Sequence, residues 1–345
     1  MEDNLVSVLL GSTGLRKLKT LDLSSLNVIN GSSLLQLLGS LPSLKTLYLR
    51  SSNFSDSTTN RDYLHNLTNV EELILDESFL HISLLQSITA FTSLNSLSMY
   101  NCHINGILGF QGLPNFKNLT HLNMDYSSLD INVLKIIGEM TSLEFLSLSN
   151  CGLQGTLSHL GRCKFVHLQE LYFNRNNLMG TLPSCFANLT SLRVLDVSSN
   201  NLSPVKSLIS IQELRLSDNH FQIPLSLAPL FNLSKLKKFY GENNEIINAE
   251  TESHSSAPKF QLNTIMLSCC GDGGILPEFL HHQHDLREVD LSHNNLTGEF
   301  PNWLLENNTK LEYLLLANNS LAGLFQLPNH SIIAAAEIYS ASAVD

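Results

Sequence analysis

The sequence predicts an α/β repeat solenoid, a horseshoe or superhelix with a parallel β-sheet on its concave side and 3₁₀ turns, short helices and loops on its convex side. Three observations carry this. Leucines recur at a near-constant interval along most of the chain, apolar and polar residues alternate within a short stretch of each interval, and an asparagine or cysteine recurs at one fixed place in that stretch.

The interval comes first. The pattern L-x-x-L-x-L-x-x-N/C-x-L starts at Leu18, Leu44, Val70, Leu94, Leu119, Leu143, Leu168, Leu192, Ile211, Leu236, Leu262, Leu286 and Leu311. These thirteen copies lie about 24 residues apart, and only the step from Leu192 to Ile211 is much shorter. The organisation that follows is a partial N-terminal repeat over 1–17, an array of about thirteen repeats over 18–330, and a C-terminal tail over 331–345 that fits no repeat. A one-dimensional array of this length need not divide into separate globular domains.

The alternation supplies the strand. In LRVLDVSSNNL, from Leu192 to Leu202, Leu195 and Val197 point to one side of an extended chain and Asp196 and Ser198 to the other. The first pair belongs to a core and the second faces out. Thirteen such strands at about 4.8 Å would line roughly 60 Å, linked by right-handed crossovers. At the ninth place stand Asn176, Asn200, Asn219, Asn244, Asn294 and Asn319. An amide turned inward there satisfies backbone groups released as the strand turns away, so these asparagines are structural. Cys102, Cys151 and Cys270 share the place and are expected as buried thiols, with Cys269 left on the inner face.

Composition narrows the function. Charged residues are 15% and hydrophobic ones 43%, so the surface is made polar by Asn, Ser and Thr, as suits a secreted or extracellular protein. A net charge of -11 opposes attraction to nucleic acid and to anionic membranes. No run approaches the roughly 18 apolar residues that a membrane helix needs. The start, MEDNLVSVLLGSTG, carries acids where an export signal has bases.

Nothing in the sequence argues for catalysis or for a cofactor. GSTGLRK, from Gly11, lacks the spacing of a phosphate-binding loop, and neither a nucleophile elbow nor a kinase signature is present. HHQH at His281 to His284 has no carboxylate or cysteine spaced to complete a metal site and reads as solvated histidines on an outer turn. Cys163 and Cys185 lie in the outer segments of consecutive repeats, in GRCKFVHL and LPSCFANL, where either a disulfide or two free thiols would fit. Eleven N-x-[ST] sequons mark candidate glycosylation sites at Asn30, Asn53, Asn66, Asn118, Asn188, Asn201, Asn232, Asn295, Asn307, Asn318 and Asn329.

Packing fixes the core positions, so the information that differs between repeats lies at the outward strand positions. The candidate ligand-binding residues there are Tyr48, Arg50, Asp76, Tyr100, Asp125, Tyr126, Phe145, Tyr172 and Arg175. Rigid rings give contact area at small entropic cost, and isolated charges set orientation. Tyr100, Tyr126, Phe145 and Tyr172 fall on four successive repeats and are expected to form one patch; the plainer alternative is rings that merely pack against their neighbours.

Several copies continue past the strand as L-x-G-x-[LF]-P: LMGTLP from Leu178, LTGEFP from Leu296 and, without the proline, LQGTL from Leu153. This resembles the plant-specific class of leucine-rich repeat. AETESHSSAPKFQL from Ala249, CGDGGILPEFL from Cys270 and GEFPNWLLENNTKLEYLLLANNSL from Gly298 resemble plant leucine-rich-repeat receptor-like proteins in particular, and the resemblance covers about 15–330. It implies the ligand-recognition region of a plasma-membrane glycoprotein of immune or developmental signalling, facing the cell exterior, binding a peptide or protein ligand and working with a co-receptor kinase. AETESH offers a second, weaker contact.

Paired-cysteine caps and a membrane helix, usual in that family, are missing, so the chain reads as an internal part of a receptor or a truncated gene product. Contact with a membrane would come only through a transmembrane segment of the full-length parent. A secreted inhibitor of a wall-degrading hydrolase is the alternative; thirteen uncapped repeats favour the receptor, and the missing transmembrane helix favours the inhibitor or a truncated product. The L-x-G-x-[LF]-P continuation and the sequons argue against an intracellular scaffold.

Overall fold

The structure, a computed structural model, describes residues 15–25, 38, 41–54, 68–88, 91–105, 116, 118–161, 163–203, 210–224, 226–247, 257–271 and 274–324. Three-residue strands, seven in one part of the chain and six in the other, lie parallel and in chain order within each part. The chain divides into two compact units, Met1–Leu178 and Met179–Asp345.

In the first unit the sheet strands are Thr20–Asp22, Thr46–Tyr48, Glu72–Ile74, Ser96–Ser98, His121–Asn123, Phe145–Ser147 and Glu170–Tyr172. Each is in register with the next, so the middle residues Leu21, Leu47, Leu73, Leu97, Leu122, Leu146 and Leu171 stack in one row. From Leu47 onward every one of them is buried. The second unit repeats this with Val194–Asp196, Glu213–Arg215, Lys238–Tyr240, Thr264–Met266, Glu288–Asp290 and Tyr313–Leu315, whose middle row runs Leu195, Leu214, Phe239, Ile265, Val289, Leu314. The strands are short because the alternation that makes them lasts only four or so residues before the chain must turn.

Short helical pieces complete the core. In the first unit the helix Val133–Ile137 and the 3₁₀ turn Leu157–Leu160 bury Val133, Leu134, Ile137, Leu157 and Leu160. In the second, the 3₁₀ turns Ser184–Asn188 and Glu278–His282 bury Phe186, Phe279 and Leu280, and the helix Asn302–Asn307 buries Leu304 and Leu305. None of the helices among the described residues is long and apolar enough to cross a membrane.

The ninth-place asparagines act as the sequence predicts. Asn294 is 1% exposed; its Nδ2 donates to the carbonyls of Leu267 (2.7 Å) and Leu291 (3.0 Å), and its Oδ1 accepts from the Cys270 amide (2.9 Å). Asn176 does the same for Leu148 and Phe173, accepting from the amides of Cys151 and Leu153. Where the residue is cysteine or serine, a single hydrogen takes over: Cys151 Sγ donates to the Met124 carbonyl (3.1 Å) and Ser127 Oγ to that of Met99 (2.7 Å).

A second repeating feature leaves no mark in the residue types. Ser25, Ser51, Glu77, Asn101, Tyr126, Asn150 and Arg175 in the first unit, and Ser199, Asp218, Asn243, Cys269, His293 and Asn318 in the second, all sit at φ between 51° and 62°. None is glycine, although left-handed backbone costs an L-residue roughly 1–2 kcal/mol. A hydrogen bond to the next coil offsets that cost. The amide of Ser51 donates to the Asp76 carbonyl (2.8 Å), Glu77 to Tyr100 (2.7 Å), Asn101 to Asp125 (2.7 Å) and Tyr126 to Ser149 (2.8 Å). The bend that ends each strand is therefore held from outside the residue that makes it.

Smaller parallel ladders follow the main strands after this bend. In the first unit Asn53–Phe54, Phe79–His81 and His103–Asn105 are paired; in the second, Gln222–Pro224 pairs with Glu245–Ile247 and Thr297–Glu299 with Ser320–Ala322.

Candidate ligand-binding surface

All nine candidate ligand-binding residues lie in the first unit, on the outward rows of its main sheet. Because the register is unbroken, these rows are straight. The first holds Thr20, Thr46, Glu72, Ser96, His121, Phe145 and Glu170; the third holds Asp22, Tyr48, Ile74, Ser98, Asn123, Ser147 and Tyr172. Two residues further on come Arg50, Asp76, Tyr100 and Asp125, and next to these the left-handed row with Tyr126 and Arg175.

The structure gathers the aromatic candidates into two groups rather than one continuous patch. Tyr100 and Tyr126 are 36% and 42% exposed, with ring centroids 5.3 Å apart and planes tilted by 56°. Phe145 and Tyr172, both half-buried, meet at 5.7 Å and 44°. The pairs occupy opposite margins of the strands, because Phe145 starts its strand whereas Tyr126 sits five residues after the first position of its own. At about 3.3 Å per residue that separation is on the order of 15 Å. Repeat number alone does not carry this transverse distance. His121, absent from the sequence candidates, stacks on Phe145 at 6.0 Å and 16° and extends the second group to three rings.

The charged candidates are partly spent on the fold. Asp76 Oδ1 accepts from Ser98 Oγ (2.6 Å) and from the Tyr100 amide (3.0 Å), while its Oδ2 faces Arg50 Nε at 3.7 Å. Asp125 Oδ1 accepts from Ser147 Oγ (2.5 Å) and the Ser149 amide (2.7 Å). Each carboxylate thus holds the strand that follows it. Arg50 lies with its guanidinium carbon 4.9 Å from the centroid of the Tyr48 ring, a cation–π arrangement that orients both. Tyr172 OH donates to Glu170 Oε2 (3.0 Å), and Arg175 is exposed on the left-handed row. What remains for a ligand is two aromatic groups, one arginine fixed on a tyrosine, and a floor of serine and asparagine.

The second unit carries a more charged face. Arg215 pairs with Glu213 (2.6 Å) and lies 4.3 Å over the Tyr240 ring, and Lys238 meets the same carboxylate at 3.4 Å. Burial pushes the Glu242 carboxyl above its ordinary range; the hydrogen bond from Ser217 opposes this, and Asp290 and Asp218 add to it.

Of the candidate glycosylation sites, Asn30, Asn66 and Asn329 lie outside the described residues, as does AETESH from Ala249. Asn53, Asn118, Asn188, Asn201, Asn232, Asn295 and Asn318 are exposed, and Asn307 is half-buried. His281, on the outer turn, stacks on Trp303 at 3.6 Å.

Cys163 and Cys185 are each disulfide-bonded, and Cys102, Cys151, Cys269 and Cys270 are free. Burial raises the thiols of Cys102 and Cys151 to about 12 and that of Cys270 to about 11, whereas Cys269 is exposed. Iodoacetamide at pH 8 is therefore expected to modify Cys269 alone in the folded protein, and all six cysteines after denaturation and reduction. Native labelling of Cys102 or Cys151, read by peptide mass, would contradict the buried placement.

Comparison with known proteins agrees with this geometry. The family described as Leucine Rich Repeat matches residues 142–163, 167–189 and 285–307. Receptor-like protein 1 of Arabidopsis thaliana is 47% identical over 133 residues, 38% of this chain and 12% of that protein. The chain carries leucine-rich repeats, and over about a third of its length it is similar to plant receptor-like proteins.

The fold of this chain is found again in the crystal structure of a TDR receptor, with a TM-score of 0.70 at 24% identity over 93% of this chain and 54% of that one. It is also similar to the plant peptide hormone receptor RGFR1 in complex with RGF2, with a TM-score of 0.56 at 22% identity over 88% of this chain and 56% of that one. The matched segments span about a tenth of the length of the curated relatives.

Proposed function

We propose that the first unit's outward sheet face is the ligand-recognition surface of a plant cell-surface receptor-like protein, non-enzymatic, displayed on the outer side of the plasma membrane in immune or developmental signalling. Its ligand is a peptide or protein segment, and a co-receptor kinase transmits the signal. The observation that carries this reading is the pair of outward aromatic groups, Tyr100 with Tyr126 and His121 with Phe145 and Tyr172, set beside Asp76 and Asp125, whose carboxylates are bonded to the strand that follows each. RGFR1, of similar fold, was solved with a peptide hormone, RGF2. Rigid, half-exposed rings beside a fixed cation have the composition of a binding hot spot.

The test is selection of a displayed random-peptide library on the protein and on a Tyr100→Ala, Tyr126→Ala, Phe145→Ala variant. Hot-spot truncations cost on the order of 2 kcal/mol each, so binders enriched on the parent are expected to lose at least about 30-fold in affinity for the variant. Peptides that bind both equally would remove this face from consideration.

The same reading covers the remaining modifications. The linkage joins Cys163 to Cys185, and the exposed sequons carry glycans.

A further inference from the structure

Apolar side chains on the outward side of the smaller ladders need an explanation, because the inward side of those strands already supplies the core. In Phe79–His81 the buried residue is Leu80, yet Phe79 is 49% exposed. In Asn177–Thr181 the buried residue is Leu178, yet Met179 is 43% exposed. A single exposed apolar residue is unremarkable on any protein. These two share a neighbour of one kind.

Phe79 is in register with Asn53, and Met179 is in register with Asn201. Both partners are outward-facing sequon asparagines, in Asn53-Phe54-Ser55 and Asn201-Leu202-Ser203. They are the sequon asparagines that fall within the described smaller strands, and each has a large exposed apolar side chain on the strand beside it. The two instances lie in different units, at different ladders, with different apolar residues.

We propose that Asn53 and Asn201 carry docked N-glycans, the first N-acetylglucosamine of each lying over Phe79 and over Met179 respectively. Strands in a sheet are about 4.8 Å apart, so a sugar joined to the asparagine amide nitrogen starts beside the neighbouring side chain. One face of a pyranose presents axial C–H groups, and the N-acetyl methyl adds to it; both are apolar and fit a phenyl face or a thioether. His103 packs against Phe79 with ring centroids 5.0 Å apart and planes tilted by 31°, on the flank away from Asn53, which keeps the ring placed for its partner. Covering Phe79 and Met179 removes apolar area from water and immobilises the base of each glycan. The inference needs passage through a secretory pathway, which the proposed function also needs, but it does not depend on any ligand.

The test uses the full chain secreted from plant cells. Glycopeptide mass analysis should find Asn53 and Asn201 occupied. Dilute peroxide then reads Met179 directly: sulfoxide should form about 5-fold more slowly than in an Asn201→Gln variant, with buried Met99, Met124 and Met140 as internal references. For the first unit, Asn53→Gln should lower Tm by roughly 2–4 °C in the parent and by less than about 1 °C in a Phe79→Ser background. Unoccupied sites, equal sulfoxide rates, or the same Tm loss in both backgrounds would overturn the proposal. Peptide selection on the unglycosylated protein would still test the proposed ligand face separately.

Discussion

Gly138→Ala is expected to destabilise the protein by about 3 kcal/mol or more, far beyond the usual cost of a single methyl group. A Cβ built at Gly138 would stand 2.2 Å from the carbonyl oxygen of Leu160 and 2.9 Å from its carbonyl carbon. These are backbone atoms, so no side chain can rotate out of the way. The two segments that would have to part are the helix Val133–Ile137 and the 3₁₀ turn Leu157–Leu160, which between them bury five apolar side chains. The Gly138 carbonyl also accepts from the Lys164 amide at 3.0 Å, so separation costs that bond as well. Backbone freedom is not the issue, since Gly138 has φ -59°, a value any residue adopts. Urea unfolding followed by circular dichroism measures the effect; a loss below 1 kcal/mol would mean that the two segments can move apart.

Asn294→Ala is expected to cost about 3 kcal/mol, because three buried backbone partners lose their bonds at once and none can reach water. The carbonyls of Leu267 and Leu291 lose a donor, and the Cys270 amide loses its acceptor. Asn294→Cys should recover part of the loss, since Cys151 fills the same place in its own repeat with one thiol donor. If alanine and cysteine variants unfold at the same urea concentration, the bonds to Asn294 contribute little and the residue is held by packing alone.

How far such effects can be foreseen from sequence depends on whether a residue type reports its role. Leu146 and Leu171 do, because alternation with polar neighbours fixes which face is buried. Asn176 and Asn294 do, because few residues can donate and accept in one compact group. The left-handed row does not: Ser51, Glu77, Asn101 and Tyr126 have nothing in common as side chains, and it is a bond to the adjoining coil that lets each adopt its φ. Gly138 is silent for the opposite reason, since a glycine after a helix would ordinarily be taken for a positive-φ cap. At the candidate site, sequence picked out the rings and charges that face out. It could not say that Asp76 and Asp125 spend an oxygen each on the following strand, or that Tyr126 and Phe145 lie on opposite margins.

The joint at the end of each strand has a bearing on recognition. Tyr126 and Arg175 are mounted on a main chain with one permitted pose, set by a tertiary bond or by the coil itself rather than by their own preference. Such a mount accepts whatever side chain a new target requires while keeping its direction constant. Diversification at these places therefore carries little penalty in folding, and a side chain so displayed has few orientations left to surrender on complexation.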